Sequence, residues 1–330
     1  METLPAADCH QGKKFTIADF LKAGAERLGL SVAVGGDGLK RRIDEPIMNR
    51  PGLALTGFFD HFAWRRLQLF GNAEIAYLRS LSDTDRLARI RSLFDRKAFC
   101  VIYTNGHHPR RDEIRVAQEA GAVVLVSSLK TRDLSRHSVF VLERLGAPRA
   151  TIYGTMIEVC GIGVLFEGDP GMGKSETALG LIKRGHALVA DDLTCIRKEV
   201  ANDVLYGSAA ESTSGYMEIR GIGIINVAKT FGINSVRGEK RLQLVISLRR
   251  LKDVEGEIDR IGQKRRYVTL LGVKVPHMVL PVSEGRDLVN LVETAVQHEK
   301  LLISGYNPVN ELSERLRLRA KAGKGSGKER

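Results

Sequence analysis

Gly168-Asp169-Pro170-Gly171-Met172-Gly173-Lys174-Ser175 follows a short apolar run at 163–166 and opens an apolar-periodic segment that stops at Gly185. The string satisfies G-x-x-x-x-G-K-[ST] at every position. In a strand–loop–helix setting, the glycines let successive backbone N–H groups converge on phosphate oxygens, and the following helix presents its positive end. Lys174 then reaches the β and γ phosphates, and the Ser175 hydroxyl serves as a Mg²⁺ ligand. The eight residues Gly168 to Ser175 are therefore the expected site for ATP and Mg²⁺.

Two stretches downstream extend this reading. Asp191-Asp192 ends an expected strand at 187–190, so at least one carboxylate should project from the C-terminal edge of a parallel sheet, where ligands of α/β folds gather. One carboxylate suits a base toward a hydroxyl, the other a hold on metal-bound water. A solvated strand end or a helix cap is the plainer alternative. Further on, Glu218-Ile219-Arg220-Gly221-Ile222-Gly223-Ile224-Ile225-Asn226-Val227 combines closely spaced glycines with a hard oxygen ligand at Glu218. A surface Glu beside a glycine-containing strand explains the same residues.

Working outward, the second half also holds expected strands at 155–160, 242–248 and 267–271 and a helix near 286–303. On that helix Leu288, Leu291, Val292 and Ala295 mark one apolar face, and His298 reads as a surface residue. The first half reads as a separate α/β unit. Thr16 is suited to cap a helix over about 17–28, where Ile17, Phe20, Leu21, Ala25 and Leu28 recur at three- and four-residue steps, with Gly24 a weak point. A strand near 31–34, an apolar run at 98–103, a turn at Asn105-Gly106, a helix near 112–120 and a run at 122–126 follow, the last four in β-α-β order. Regularity is lost over 131–150, which contains Gly146 and Pro148. The expected organisation is an N-terminal α/β domain at 1–130, a linker at 131–150, a P-loop catalytic domain at 151–318 and a basic disordered tail at 319–330.

Composition narrows the class. The 330 residues are 43% hydrophobic, enough for a sizeable core. Residues 1–14 lack the apolar region of a signal peptide, and nowhere do 18 apolar residues run together, which favours a cytoplasmic protein with no membrane partner. Cys9, Cys100, Cys160 and Cys195 form no C-x-x-C pair and read as reduced thiols. The net charge of +12 raises the question of nucleic acid. Much of the excess lies after Leu318, and aromatic residues for base stacking amount to 6%, so nucleic acid is disfavoured as a partner. His107-His108 lack a third ligand nearby, and His186 reads as a helix-end or buried structural residue.

Several strings together resemble the HPr kinase/phosphorylase family. These are the P-loop continued as Ser175-Glu176-Thr177-Ala178-Leu179, Lys183-Arg184-Gly185-His186, Ala190-Asp191-Asp192 and the Glu218 to Val227 string. Ile258-Asp259-Arg260-Ile261-Gly262, Pro281-Val282 with Gly285-Arg286, and Arg50-Pro51-Gly52-Leu53-Ala54-Leu55-Thr56-Gly57-Phe58 add to them. The resemblance implies an α/β protein of two domains, the second a P-loop kinase domain resembling the phosphoenolpyruvate carboxykinase nucleotide fold. It implies phosphorylation of a serine of the phosphocarrier HPr, and phosphorolytic removal by inorganic phosphate with pyrophosphate in that direction, by a homohexamer. It makes Lys174 a catalytic phosphate clamp, Asp191 the base, Arg260 a catalytic cation, and Ser175 and Glu218 the Mg²⁺ ligands. Family members generally carry a histidine followed by glycine 21 positions before the P-loop lysine, and here that position is Tyr153, followed by Gly154. Tyrosine donates a hydrogen bond but does not become a cation at neutral pH. Other readings are a P-loop kinase of another acceptor, a nucleotide-binding regulatory module with reduced catalysis, and a DNA-binding regulator.

Overall fold

The computed structural model describes residues 2–3, 8–10, 14–254, 265–283 and 285–325, with side chains for 14–254, 265–283 and 285–318. The chain forms two compact units, one of residues 11–147 and one of 1–10 with 148–330. Both are α/β.

In the first unit, a five-stranded sheet runs in the order Leu30–Val34, Val123–Ser127, Cys100–Tyr103, Leu67–Phe70, Met48–Asn49; the last four are parallel and the first is antiparallel. Every position of Cys100–Tyr103 and Val123–Ser127 is buried. Strands covered on both faces read as continuous apolar runs, and alternation sends Val101 and Tyr103 to one cluster, Cys100 and Ile102 to the other. Thr16 caps the helix Ile17–Gly24 through a reciprocal pair: its hydroxyl oxygen accepts the Asp19 N–H at 3.2 Å, and the Asp19 carboxylate accepts the Thr16 N–H at 2.8 Å. That helix ends at Gly24, short of the expected 28.

The stretch expected to be a linker is mostly a helix, Thr131–Gly146, and it belongs to the first unit. Leu134, Ser138, Val141 and Leu142 are buried at helical spacing. The interspersed charges obscured that stripe. The division falls instead between Ala147 and Pro148.

In the second unit, Ile162–Glu167 lies between Lys240–Arg250, to which it is parallel, and Thr155–Val159, to which it is antiparallel. Ala187–Ala190 pairs antiparallel with the far side of Thr155–Val159, and Val273–Val282 pairs parallel with Lys240–Arg250. The sheet behind Asp191 is therefore mixed, where a parallel one was expected. The strands ending in the P-loop and in Asp191 still point the same way, so both deliver their ends to one edge. Val164 and Phe166 face a cluster with Ala178 and Leu181 of the P-loop helix Lys174–Lys183 and Val292 and Val296 of the helix Leu288–Ile303. Leu165 faces the opposite cluster, with Met156, Val189 and Val245. Strand Asp8–His10 joins this unit by pairing with Arg149–Tyr153. The helix Pro308–Gly325 continues past Leu318, where a disordered tail was expected to begin; Arg, Lys and Ala there are strong helix formers.

Gly163 meets the neighbouring strand so closely that a Cβ would sit 2.0 Å from the Arg241 carbonyl oxygen. Backbone cannot step aside as a side-chain tip can. Gly163→Ala is expected to destabilise the second unit by about 1–3 kcal/mol, read as a lower urea midpoint in chemical unfolding.

Candidate active site

The strand Ile162–Glu167 is buried through Phe166 and turns at Glu167 directly into the loop. Gly168 has φ 145°, and a Cβ there would lie 2.6 Å from the Leu248 carbonyl oxygen, so only glycine fits. Gly171 and Gly173 also have positive φ, at 81° and 82°. Met172 is 5% exposed and joins the core cluster that holds Phe166, which anchors the middle of the loop. Lys174 donates from Nζ to the carbonyl oxygens of Gly168 at 2.7 Å and Asp169 at 3.2 Å. All eight residues expected to bind nucleotide thus belong to one strand–loop–helix turn with the helix N-terminus behind it.

Asp191 is the point where other elements meet this loop. Its Oδ1 accepts hydrogen bonds from Thr155 Oγ1 at 2.8 Å and Ser175 Oγ at 3.2 Å. Its Oδ2 accepts the backbone N–H of Glu218 at 3.3 Å. Burial pushes the Asp191 carboxyl above its ordinary value; the Thr155 hydrogen bond opposes this, the Asp192 charge adds to it, and the bonds from Glu218 and Ser175 pull it back. Asp192, by contrast, is exposed, with φ 58° at a tight turn in which the Leu193 N–H reaches the Asp191 carbonyl at 2.7 Å. The two acids are therefore unlike.

Glu218 sits on the hairpin strand Tyr216–Ile219, paired with Gly223–Asn226. Met217 and Ile219 are buried in the core cluster, so alternation turns the Glu218 side chain outward. Its backbone and the Ser175 hydroxyl share the same carboxylate partner. Among the described residues there is no group of three or more His, Cys, Asp or Glu that could hold a metal ion. A hydroxyl and one carboxylate remain a suitable protein share for Mg²⁺, which keeps several waters and takes phosphate oxygens as its other ligands.

Tyr153 ends the strand Arg149–Tyr153, opposite Leu193, and is 68% exposed. Gly154 ties it to the acid pair: the Gly154 N–H donates to the Asp192 carbonyl at 2.8 Å, and the Gly154 carbonyl accepts Thr194 Oγ1 at 2.7 Å. Arg260 lies outside the described residues, with the rest of 255–264. His186 pairs through Nε2 with Glu293 Oε1 at 2.8 Å, joining the end of the P-loop helix to the helix Leu288–Ile303. That hydrogen bond, with Arg184 beside it, holds the Glu293 carboxyl below its ordinary value. His107 is paired with Asn72 Oδ1 at 2.9 Å. Thr155 is the site residue that the sequence reading passed over. No local signal marked it, since the strand it opens also carries the charged Glu158.

Loop, helix and the aspartate beside them have the strand–loop–helix arrangement of a P-loop protein. The family model described as HPr Serine kinase N terminus matches residues 15–142, and that described as HPr Serine kinase C-terminal domain matches 144–316. The HPr kinase/phosphorylase of Leptospira biflexa serovar Patoc is 41% identical over 291 residues, covering 88% of this chain and 90% of that one. That of Treponema pallidum (strain Nichols) is 38% identical over 289 residues, with 88% and 90% covered. A solved structure of the Hpr(Ser) kinase/phosphatase from Coxiella burnetii is similar at 36% identity and a TM-score of 0.45, covering 49% of this chain and 97% of that one. The chain belongs to the HPr serine kinase family.

The carboxyl of Asp191 should titrate above the free value of about 3.9. Thr155→Val removes the stronger of the two hydroxyl bonds to its ionised form, so it should raise that pKa further. Carboxyl-carbon NMR on the two proteins checks the direction, and a lower value in Thr155→Val would contradict it.

Proposed function

We propose that this protein transfers the γ-phosphoryl group of ATP, with Mg²⁺, to a serine hydroxyl of the phosphocarrier HPr, and that inorganic phosphate reverses the modification with release of pyrophosphate. The observation that carries the reading is geometric: the half-buried Asp191 carboxylate, which burial pushes above its ordinary value, is hydrogen-bonded to the hydroxyl of P-loop residue Ser175 in a chain of this family. Raising the pKa makes Asp191 a stronger base than an aspartate in water.

In transfer, the serine oxygen bonds to the γ phosphorus as the bond to the β–γ bridging oxygen breaks, and the serine proton passes to Asp191. Lys174 exchanges its loop carbonyls for phosphate oxygens, where it offsets their charge. Ser175 and Glu218 are the residues that would hold Mg²⁺, which when bound would supply positive charge against the phosphates. Arg260 is assigned a second cation on the transferring group, an assignment that rests on its match to the family string. We extend the reading to a homohexamer in the cytoplasm, by family resemblance; no helix among the described residues is long and apolar enough to cross a membrane.

γ-Labelled ATP and purified HPr test this directly. Label is expected on an HPr serine, at least a hundredfold less with Lys174→Ala, and excess phosphate should remove it; ATP binding without transfer would instead mark a regulatory module.

Tyr153 should bear on the balance of the two directions. A phenol orients inorganic phosphate by hydrogen bonding alone, whereas a protonated imidazole adds charge. Tyr153→His is expected to raise phosphorolysis relative to phosphorylation, and an unchanged ratio of the two rates would refute that role.

A further inference from the structure

Beside the P-loop, on the opposite side from Asp191, three polar side chains lie across three neighbouring parallel strands. Glu167 is the last residue of Ile162–Glu167, Ser247 is its register partner on Lys240–Arg250, and His277 lies on Val273–Val282. Ser247 is fully buried and His277 is 8% exposed. They share the sheet face of Leu165, Val245 and Val275, an apolar cluster where an unpartnered polar group would be costly.

They are hydrogen-bonded to one another. Ser247 Oγ donates to Glu167 Oε1, and His277 Nε2 lies 2.5 Å from Ser247 Oγ. A serine has one proton to give. With that proton directed to the carboxylate, the serine oxygen accepts from His277, which places a proton on Nε2. The result is a directed chain, His277 to Ser247 to Glu167, in which each bond fixes the next.

We propose that Glu167 is a positioning residue for the phosphate loop, and that Ser247 and His277 hold it in place. Glu167 is bonded covalently to Gly168, the first loop residue, whose carbonyl accepts Lys174 Nζ at 2.7 Å. Gly168 itself is pressed against the Leu248 carbonyl, on the strand that carries Ser247. Arg249, two residues beyond Ser247, brings Nη2 to 3.8 Å from Glu167 Oε1 and offsets the negative charge this residue would set beside bound phosphates. The strand end 247–249 thus grips the last strand residue, Glu167, by a hydrogen bond and a charge and the first loop residue, Gly168, by a backbone contact. A loop whose N–H groups must converge on phosphate loses less freedom on binding when its entry is already held.

The proposal rests on the nucleotide reading of the P-loop only for its effect on binding; the effect on the loop stands apart from it. Hydrogen exchange of residues 168–173 in the full chain without nucleotide, and ATP affinity by calorimetry, are measured for wild type, Ser247→Ala, Glu167→Ala, the double variant and Glu167→Gln. Ser247→Ala and Glu167→Ala should each speed loop exchange at least fivefold and weaken ATP binding at least fivefold. The double variant should be little worse than either single one, because all three break one chain. Glu167→Gln, which keeps an acceptor for the Ser247 hydroxyl, should recover most of the protection. Wild-type loop exchange in Ser247→Ala would overturn the proposal, as would faster exchange spread equally over Lys240–Arg250 and Val273–Val282, the sign of a purely structural role. Absence of ATP binding in the wild type would refute the nucleotide reading, while loop exchange would still decide the role of Glu167.

Discussion

The site depends on a carboxylate kept partly out of water. Asp191 satisfies its two oxygens with the Thr155 and Ser175 hydroxyls on one and the Glu218 N–H on the other. Those donors come from the start of an antiparallel strand, the first turn of the P-loop helix and a hairpin. Placing one acid therefore registers three elements against the phosphate loop, and displacement of any one of them would strip a hydrogen bond from a half-buried charge.

That arrangement opposes stability and chemistry to each other. Burial raises the Asp191 pKa above its unfolded value. By linkage, such a group contributes stability that is present below the unfolded value and lost as pH rises through the folded one. At neutral pH the ionised acid therefore lowers stability, and the same ionised form is the one that the proposed base role requires. The three hydrogen bonds limit the penalty without abolishing the raised basicity. A residue chosen only for folding would not sit here.

What could be read in the sequence followed from how locally it is encoded. The P-loop is a contiguous string whose glycines, lysine and serine each have a separate reason, and the neighbouring strands 162–167 and 187–190 are runs buried on both faces. Asp191 was legible because it follows one of those runs. Thr155 was not, since its role depends on an antiparallel strand lying between two parallel ones, which no local pattern records. The helix Thr131–Gly146 was hidden by charges on its outer face, by Gly146 at its end and by Pro148 close behind it. Glu218 was visible as a hard ligand, yet its link to the site runs through its backbone N–H, which every residue but proline has.

The two sides of the phosphate loop are built for different tasks. On the Asp191 side the partners are two hydroxyls and one amide, groups that tune an ionisable acid and leave Asp192 and Tyr153 exposed beside it. On the Glu167 side the hydrogen-bonded partners Ser247 and His277 are buried, and the strand that carries Ser247 presses its backbone against Gly168. Exposure allows a protein substrate to approach the acid, whereas burial excludes the water that would compete for the Ser247 and His277 hydrogen bonds. On the proposed function, a loop that must stay rigid toward a nucleotide and open toward a serine is served by this asymmetry. It also explains why the second side left so little trace in the sequence: Glu167, Ser247 and His277 are separated by 80 and 30 residues and meet only through strand register.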